Sequence, residues 1–330
     1  MPAAKAADFT AIPVIDIAAL APGADERART AAVAALGRSL EASGFAYIAG
    51  HGVPQPLIDA LFDLTRQFHA LPFEAKMKIA INADNRGYLR MAASTIVTST
   101  VARNTRPNQS ESLIFMHEHI PARLAGTPLQ GPNQWPAELP GFRDVVPDYM
   151  ARLTGLGRIL AGAVADHLGL ARDFFAPFLA EPTQGLRLLH YPPQPDEPDL
   201  HGAAPHTDYG FITMLAQDDV GGLEVRNGRG DWVPAPPIPG TFIMNVGDIL
   251  TRWSNGRLPS VPHRARNVGA RERYSMPFFF DAAMDAIIAV PPALVAPGES
   301  PIYAPVCYGD YLLERLNRNY DYRKKEKAYG

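Results

Sequence analysis

The spacing of apolar positions changes character along the chain. A stretch rich in Ala, Leu and Arg from Asp25 to Ser43 predicts a helix ending near Gly44, and Gln55 to Ala70 predicts a second that stops before Pro72. Val146, Tyr149, Leu153, Leu156, Ile159, Leu160, Val164 and Leu168 recur at helical spacing, so Phe142 to Leu170 reads as one long helix. From Gly185 onward the pattern switches to short apolar runs separated by Gly and Pro. Leu186–Tyr191, Ile212–Gln217, Leu223–Val225, Thr241–Val246, His263–Arg266 and Tyr274–Phe280 read as strands. Ile12–Ile17 and Phe45–Ile48 read as strands near the start, and Ala304–Asn319 as a closing helix. Residues 1–11 are Ala-rich and read as a frayed end, 82–120 as irregular, and 121–141 as a Pro/Gly-rich connector. Many short, punctuated strands beside a few helices point to a mainly β protein, a sandwich or barrel with flanking helices. There is no internal repeat, and we expect one domain over 1–330.

Composition narrows the setting. With 330 residues, 47% of them hydrophobic, the chain can bury a large core. Its net charge of −3 argues against nucleic acid or an anionic membrane as partner. A single cysteine, Cys307, excludes an internal disulfide and fits a reducing compartment. No apolar run approaches the ~20 residues of a membrane helix. No long apolar stretch precedes Pro13 and Asp16, which speaks against a secretory signal. A cytoplasmic monomer is expected, with Lys324-Lys325-Glu326-Lys327 as a solvated tail.

The candidate chemistry is concentrated between Tyr191 and Ser275. On a strand, His206 and Asp208 leave on the same face, and His263 follows in Pro262-His263-Arg264. Two imidazoles and one carboxylate bind one face of an octahedral ion and leave three positions open, the arrangement of non-haem Fe(II) oxygenases. Zinc is the alternative ion, since three protein ligands with one open position also suit it. Arg273 and Ser275 share a face on the following strand, and a guanidinium beside a hydroxyl suits a carboxylate. The strand Tyr274-Ser275-Met276-Pro277-Phe278-Phe279-Phe280 is strongly apolar, so a charge entering it needs a partner. The other histidines carry plainer readings: His51 in a turn, His69 on a helix surface, His117 and His119 at an exposed strand end, and His167 as structural.

With these motifs in this order, the chain resembles the isopenicillin N synthase-like family of Fe(II)/2-oxoglutarate-dependent dioxygenases. His206-x-Asp208…His263 matches its metal motif and Arg273-x-Ser275 its Arg-x-Ser. Leu189-His190-Tyr191-Pro192-Pro193, Asn245-Val246-Gly247-Asp248 and Trp253-Ser254-Asn255-Gly256 are also similar, as are Ile12-Pro13-Val14-Ile15-Asp16 and Gly44-Phe45-Ala46-Tyr47-Ile48. The resemblance runs from about Ile12 to about Tyr320. It implies a double-stranded β-helix, or jelly roll, over 183–285, an N-terminal α/β dioxygenase region over 12–120, a long helix packed along the barrel, and a C-terminal helix over 304–322. It implies Fe(II) at His206, Asp208 and His263, with 2-oxoglutarate as cosubstrate and O2 as oxidant. Arg273 and Ser275 would hold the distal carboxylate of 2-oxoglutarate, and Tyr191 would support it. The family often has Asn two residues before that tyrosine; Leu189 stands there and departs from one polar cosubstrate contact.

The implied reaction is oxidation, most often hydroxylation, of a small organic substrate with release of succinate and CO2. An oxidase of isopenicillin N synthase type, using no 2-oxoglutarate, fits the same motif, because Arg-x-Ser could grip the substrate's own carboxylate. A binding protein without turnover is the third reading, disfavoured by the intact ligand set. In similar proteins the 82–120 segment crosses the barrel mouth, which makes Arg90, Glu111 and Phe115 candidate substrate contacts. Period two places Phe279 on the face of Arg273 and Ser275, a further candidate. The substrate itself is not legible, because its pocket comes from loops.

Overall fold

The computed structural model describes residues 6–326. In chain order the elements begin with β1 (Val14–Asp16), α1 (Glu26–Ser43), β2 (Phe45–Ala49), α2 (Gln55–His69), α3 (Phe73–Met77), β3 (Gly87–Leu89) and β4 (Glu111–Met116). Then come α4 (Phe142–Leu168), β5 (Thr183–Tyr191), β6 (Ala203–His206), β7 (Ile212–Gln217), β8 (Leu223–Arg226), β9 (Trp232–Pro234) and β10 (Phe242–Val246). The chain closes with α5 (Asp248–Trp253), β11 (His263–Ala265), β12 (Arg273–Asp281), β13 (Ile287–Ile288), β14 (Val306–Cys307), α6 (Tyr308–Asn319) and α7 (Asp321–Glu326).

Two sheets form the jelly roll. The larger runs β1-β2-β10-β7-β12-β5-β4-β3, and the smaller β6-β11-β8-β9. Helices α1, α2 and α4 pack on one another and on the large sheet. Their inward stripes, including Leu36, Leu61, Phe142, Leu153 and Leu160, share a core with Leu186, Leu188, Phe278 and Phe280 of the sheet's outer face. The other face looks toward the small sheet and carries the cavity described below. Local signals set the helix ends: the Asp25 carboxylate accepts the Ala28 N–H at 2.9 Å, and Gly44 adopts a left-handed φ of 67°. The expected helices recur within a few residues.

Several expectations needed correction. Residues 7–9 are not frayed: Ala7 bonds to the Ala42 carbonyl and Phe9 accepts from Asn227. Residues 1–5 and 327–330, including the last lysine of the expected tail, lie outside the described residues. The 82–120 segment is not all irregular, because β4 is buried along its length and pairs with β5. The closing helix starts at Tyr308; Val306 and Cys307 pair with Ile288 and Ile287 instead. His69 is a buried core residue whose Nε2 donates to the Leu188 carbonyl at 3.1 Å, not a surface histidine.

Candidate active site

Strand pairing assembles three donor atoms. His206 ends β6 and stands directly opposite His263 of β11, with ring centroids 4.3 Å apart. The strand does not continue to Asp208, which sits in the turn that follows, so a turn and not period two brings it to the histidines. Each imidazole donates from Nδ1 to a carbonyl two residues back: His206 to Ala204 at 2.8 Å and His263 to Val261 at 3.2 Å. In a neutral imidazole that bond leaves the Nε2 atoms as the lone-pair nitrogens. They lie 3.8 and 3.7 Å from Asp208 Oδ1. The other carboxylate oxygen, Oδ2, accepts from Thr213 Oγ1 at 2.5 Å and Asn245 Nδ2 at 2.7 Å, which turns Oδ1 inward.

Charge follows the same logic. Burial, and then the neighbouring His263, push His206 down to about 4. Burial alone would raise Asp208, but the two histidines and the bonds from Asn245 and Thr213 outweigh it and lower its pKa. Two imidazole nitrogens and a carboxylate oxygen converge within 4.8 Å of one another, so a cation suits the point where they meet. The donor set, two imidazole nitrogens and one carboxylate oxygen, fits Fe(II).

The turn is held from behind. The Asp208 and Gly210 carbonyls accept the N–H groups of Asp248 and Ile249 at the start of α5. A Cβ on Gly247 would come within 2.1 Å of the Gly210 carbonyl oxygen, so only glycine permits this approach. Asn245-Val246-Gly247-Asp248, a motif whose sequence alone carries no role, thus orients Asp208.

The residues read as a carboxylate grip also come together. Arg273 is 1% exposed, and its guanidinium lies 4.5 Å from the Tyr191 ring centroid. Its Nε donates to the Gly221 carbonyl, while Nη1 and Nη2 reach Ser275 Oγ and Gln217 Oε1 only at 3.4 and 3.3 Å. No carboxylate pairs with it among the described residues, so the Nη edge is available to a ligand. Arg273, Ser275, Pro277 and Phe279 line one cavity with the His206–Asp208–His263 cluster, Tyr191 and Leu189.

Three of the four expected substrate contacts do not reach that cavity. Along β4, Ile114 and Met116 line it, so Glu111 and Phe115 have the opposite parity and face the helices. Phe115 packs on Phe142 and Trp135 in the core. Arg90 is exposed and, among the described residues, bonds only the Met91 carbonyl, at 3.5 Å. Phe279 does line the cavity.

Glu111 anchors a second cluster of metal-ligating side chains, with His69 and His190. Here a cation is already supplied by the protein, because Lys76 Nζ lies 2.9 and 3.1 Å from the two Glu111 oxygens. His190 bonds Glu111 at 2.8 Å and Glu272 at 2.5 Å. Burial alone would raise the Glu111 carboxyl, but the bonds from His190 and Tyr88 and the nearby His69 hold it well below the ordinary range. This is an internal ion-pair network, with its carboxylate spent on Lys76.

Comparison with known proteins agrees with the geometry. Residues 182–282 match the model of the 2OG-Fe(II) oxygenase superfamily, and 12–138 match that of the non-haem dioxygenase in morphine synthesis N-terminal region. A 2-oxoglutarate-Fe(II) type oxidoreductase of Emericella nidulans is 34% identical over 97% of this chain and 94% of its own length. A homoarginine-6-hydroxylase of Oryza sativa is 33% identical over 95% of this chain and 98% of its own. The crystal structure of a full-length Neurospora crassa protein in complex with alpha-KG superposes with a TM-score of 0.83 at 29% identity, covering 96% of this chain and 99% of that one.

Proposed function

We propose a division of labour among these residues from one premise: the chain belongs to the 2OG-Fe(II) oxygenase superfamily. It is an Fe(II)/2-oxoglutarate-dependent dioxygenase, an oxidoreductase with 2-oxoglutarate as cosubstrate and O2 as the oxidant, acting on a small organic molecule. The relatives favour this over the oxidase that dispenses with 2-oxoglutarate. In our reading His206, Asp208 and His263 hold Fe(II), and the observation that carries it is the convergence of two Nε2 lone pairs on a carboxylate oxygen. When bound, iron supplies the redox chemistry that couples oxidative decarboxylation of 2-oxoglutarate to substrate oxidation.

The chain's own part is positioning. Thr213 and Asn245 keep one Asp208 oxygen occupied, so the other stays aimed at the metal. Arg273 and Ser275 grip the distal carboxylate of 2-oxoglutarate, and Tyr191 flanks it. Tyr191 already covers the Arg273 guanidinium and keeps water from it, and Leu189 adds an apolar wall where the family often has Asn. Phe279 forms part of the substrate wall. We read the chain as one unit, with an N-terminal region over 12–120, a catalytic jelly roll over 183–285 and a C-terminal helical segment over 304–322. Hydroxylation is the outcome we favour, because the homoarginine relatives are named for it. We read the protein as a monomer working in the cytoplasm; the net charge of −3 argues against nucleic-acid or anionic-membrane partners, and no helix among the described residues is long and apolar enough to cross a membrane.

The test is a substrate screen, homoarginine and thymine included, that reads succinate release with Fe(II) and 2-oxoglutarate. Substrate-dependent oxygen uptake that continues without 2-oxoglutarate would overturn the reading.

A further inference from the structure

Three arginines line the cavity: Arg187, Arg264 and Arg273. Arg264 is paired, its Nε lying 2.7 Å from Glu224 Oε2. Arg273 is assigned above to 2-oxoglutarate. Arg187 remains. It lies on β5, on the same face as Leu189 and Tyr191, and is half-buried. Its polar partners are both neutral: Nε donates to Ser112 Oγ at 2.9 Å and Nη1 to Tyr320 Oη at 3.1 Å. No carboxylate pairs with it among the described residues. The cavity's two acidic residues are committed elsewhere. Asp208 faces the metal position, and Asp281 accepts from the Phe211 N–H and the Tyr308 hydroxyl.

A guanidinium drawn out of bulk water with only neutral partners has unmet attraction for an anion, the argument that also applies to Arg273. The register keeps the two arginines apart. Arg273 pairs with Tyr191, and Arg187 stands four residues back along β5, about 13 Å away at ~3.3 Å per residue. One end of the cavity therefore suits the cosubstrate's distal carboxylate and the other suits a second anion. Tyr320 shapes that second end. It accepts from Arg187, so its own hydroxyl proton is free to donate. It is placed by a bridge to Ser94, while Asn319 beside it bonds Tyr209 Oη at 2.5 Å and Thr98 Oγ1 at 2.8 Å.

We propose that Arg187, with Tyr320, binds an anionic group of the organic substrate, and that the enzyme's substrates are small carboxylic acids. The proposal rests on the dioxygenase reading above for the cavity's use. The planar fork of Arg187 matches a carboxylate, and Tyr320 ties its recognition to the C-terminal segment.

The experiment uses the full chain loaded with Fe(II) and saturating 2-oxoglutarate under nitrogen, and measures binding by intrinsic fluorescence and thermal shift. The probes are matched pairs: phenylacetate and phenylacetamide, hexanoate and hexanamide, N-acetylglycine and its amide. We expect at least one acid to bind wild type roughly tenfold to a hundredfold more tightly than its amide, the range of a lost charge-assisted contact. In Arg187→Gln that preference should vanish with 2-oxoglutarate binding intact, and Arg187→Lys, which keeps the charge, should retain part of it. Tyr320→Phe should lower it less than Arg187→Gln. Equal binding of acids and amides by wild type, no binding by any acid, or an undiminished acid preference in Arg187→Gln would each overturn the proposal. Failure of wild type to bind 2-oxoglutarate would overturn the dioxygenase reading instead, and the acid-over-amide comparison still scores the anion site.

Discussion

Asp281, the last residue of β12, is 6% exposed and has no cationic partner among the described residues. One carboxylate oxygen accepts the Phe211 N–H at 2.6 Å and the other the Tyr308 hydroxyl at 2.7 Å. It thereby ties the segment after Asp208 to the first residue of α6, whose Leu312, Leu316 and Asn319 line the cavity. Burial raises its carboxyl from 3.8 to about 7. Below the lower value both folded and unfolded chains hold the proton, and the group costs nothing. As pH rises between the two values the unfolded chain has released the proton and the folded chain has not, so stability falls by ~1.4 kcal/mol per pH unit. Above the upper value the cost levels off at about 4 kcal/mol. Asp281→Asn removes the titration and preserves the contacts: the amide oxygen accepts from Phe211 and the NH2 donates to Tyr308 Oη. Relative to wild type, the variant should gain roughly 2–3 kcal/mol of stability between about pH 5 and about pH 8. The assay is urea unfolding of both proteins across that range, compared as a double difference so that other groups cancel. If the two stability curves run parallel, the Asp281 carboxyl is not held neutral and the reasoning fails.

Three further outcomes test the site. Asp208→Ala removes the only anionic ligand of the triad, so metal analysis should find iron lost and succinate release should stop; normal iron content with normal turnover would refute the triad. Arg273→Leu should raise the 2-oxoglutarate KM roughly tenfold to a little over a hundredfold, from about 1.5–3 kcal/mol for a charge-assisted bidentate contact, with iron content unchanged. Arg273→Lys should recover only part, because an ammonium lacks the planar fork. Cys307→Ser should keep activity and hold or raise the melting temperature. Cys307 is the N-cap of α6 without a side-chain cap bond, and serine there is worth up to ~1 kcal/mol.

Features that rest on neighbours along the chain were readable without any fold in hand. The run from Asp25 to the Gly44 stop marked α1, helical spacing marked α4, and β7, β8, β10, β11 and β12 emerged from short apolar runs between Gly and Pro, while β9 did not. Arg273 and Ser275 were legible as a pair because side chains two apart on a strand share a face whatever the strand packs on. His206, Asp208 and His263 were legible as chemistry, since few other uses need those donors together.

What parity leaves open, packing settled. Alternation says that Glu111 and Phe115 share a face, but pairing of β4 with β5 under α2 and α4 makes this face the core side and not the cavity. A charged residue in a segment expected over the barrel mouth reads as a substrate contact until Lys76, Tyr88 and His190 are seen to collect around it. Asn245 on Asp208, and Arg187 left without a carboxylate, are likewise products of contacts between segments far apart in the chain. A side chain's partners are set by which strands meet and at what register, and one sequence read alone carries no register.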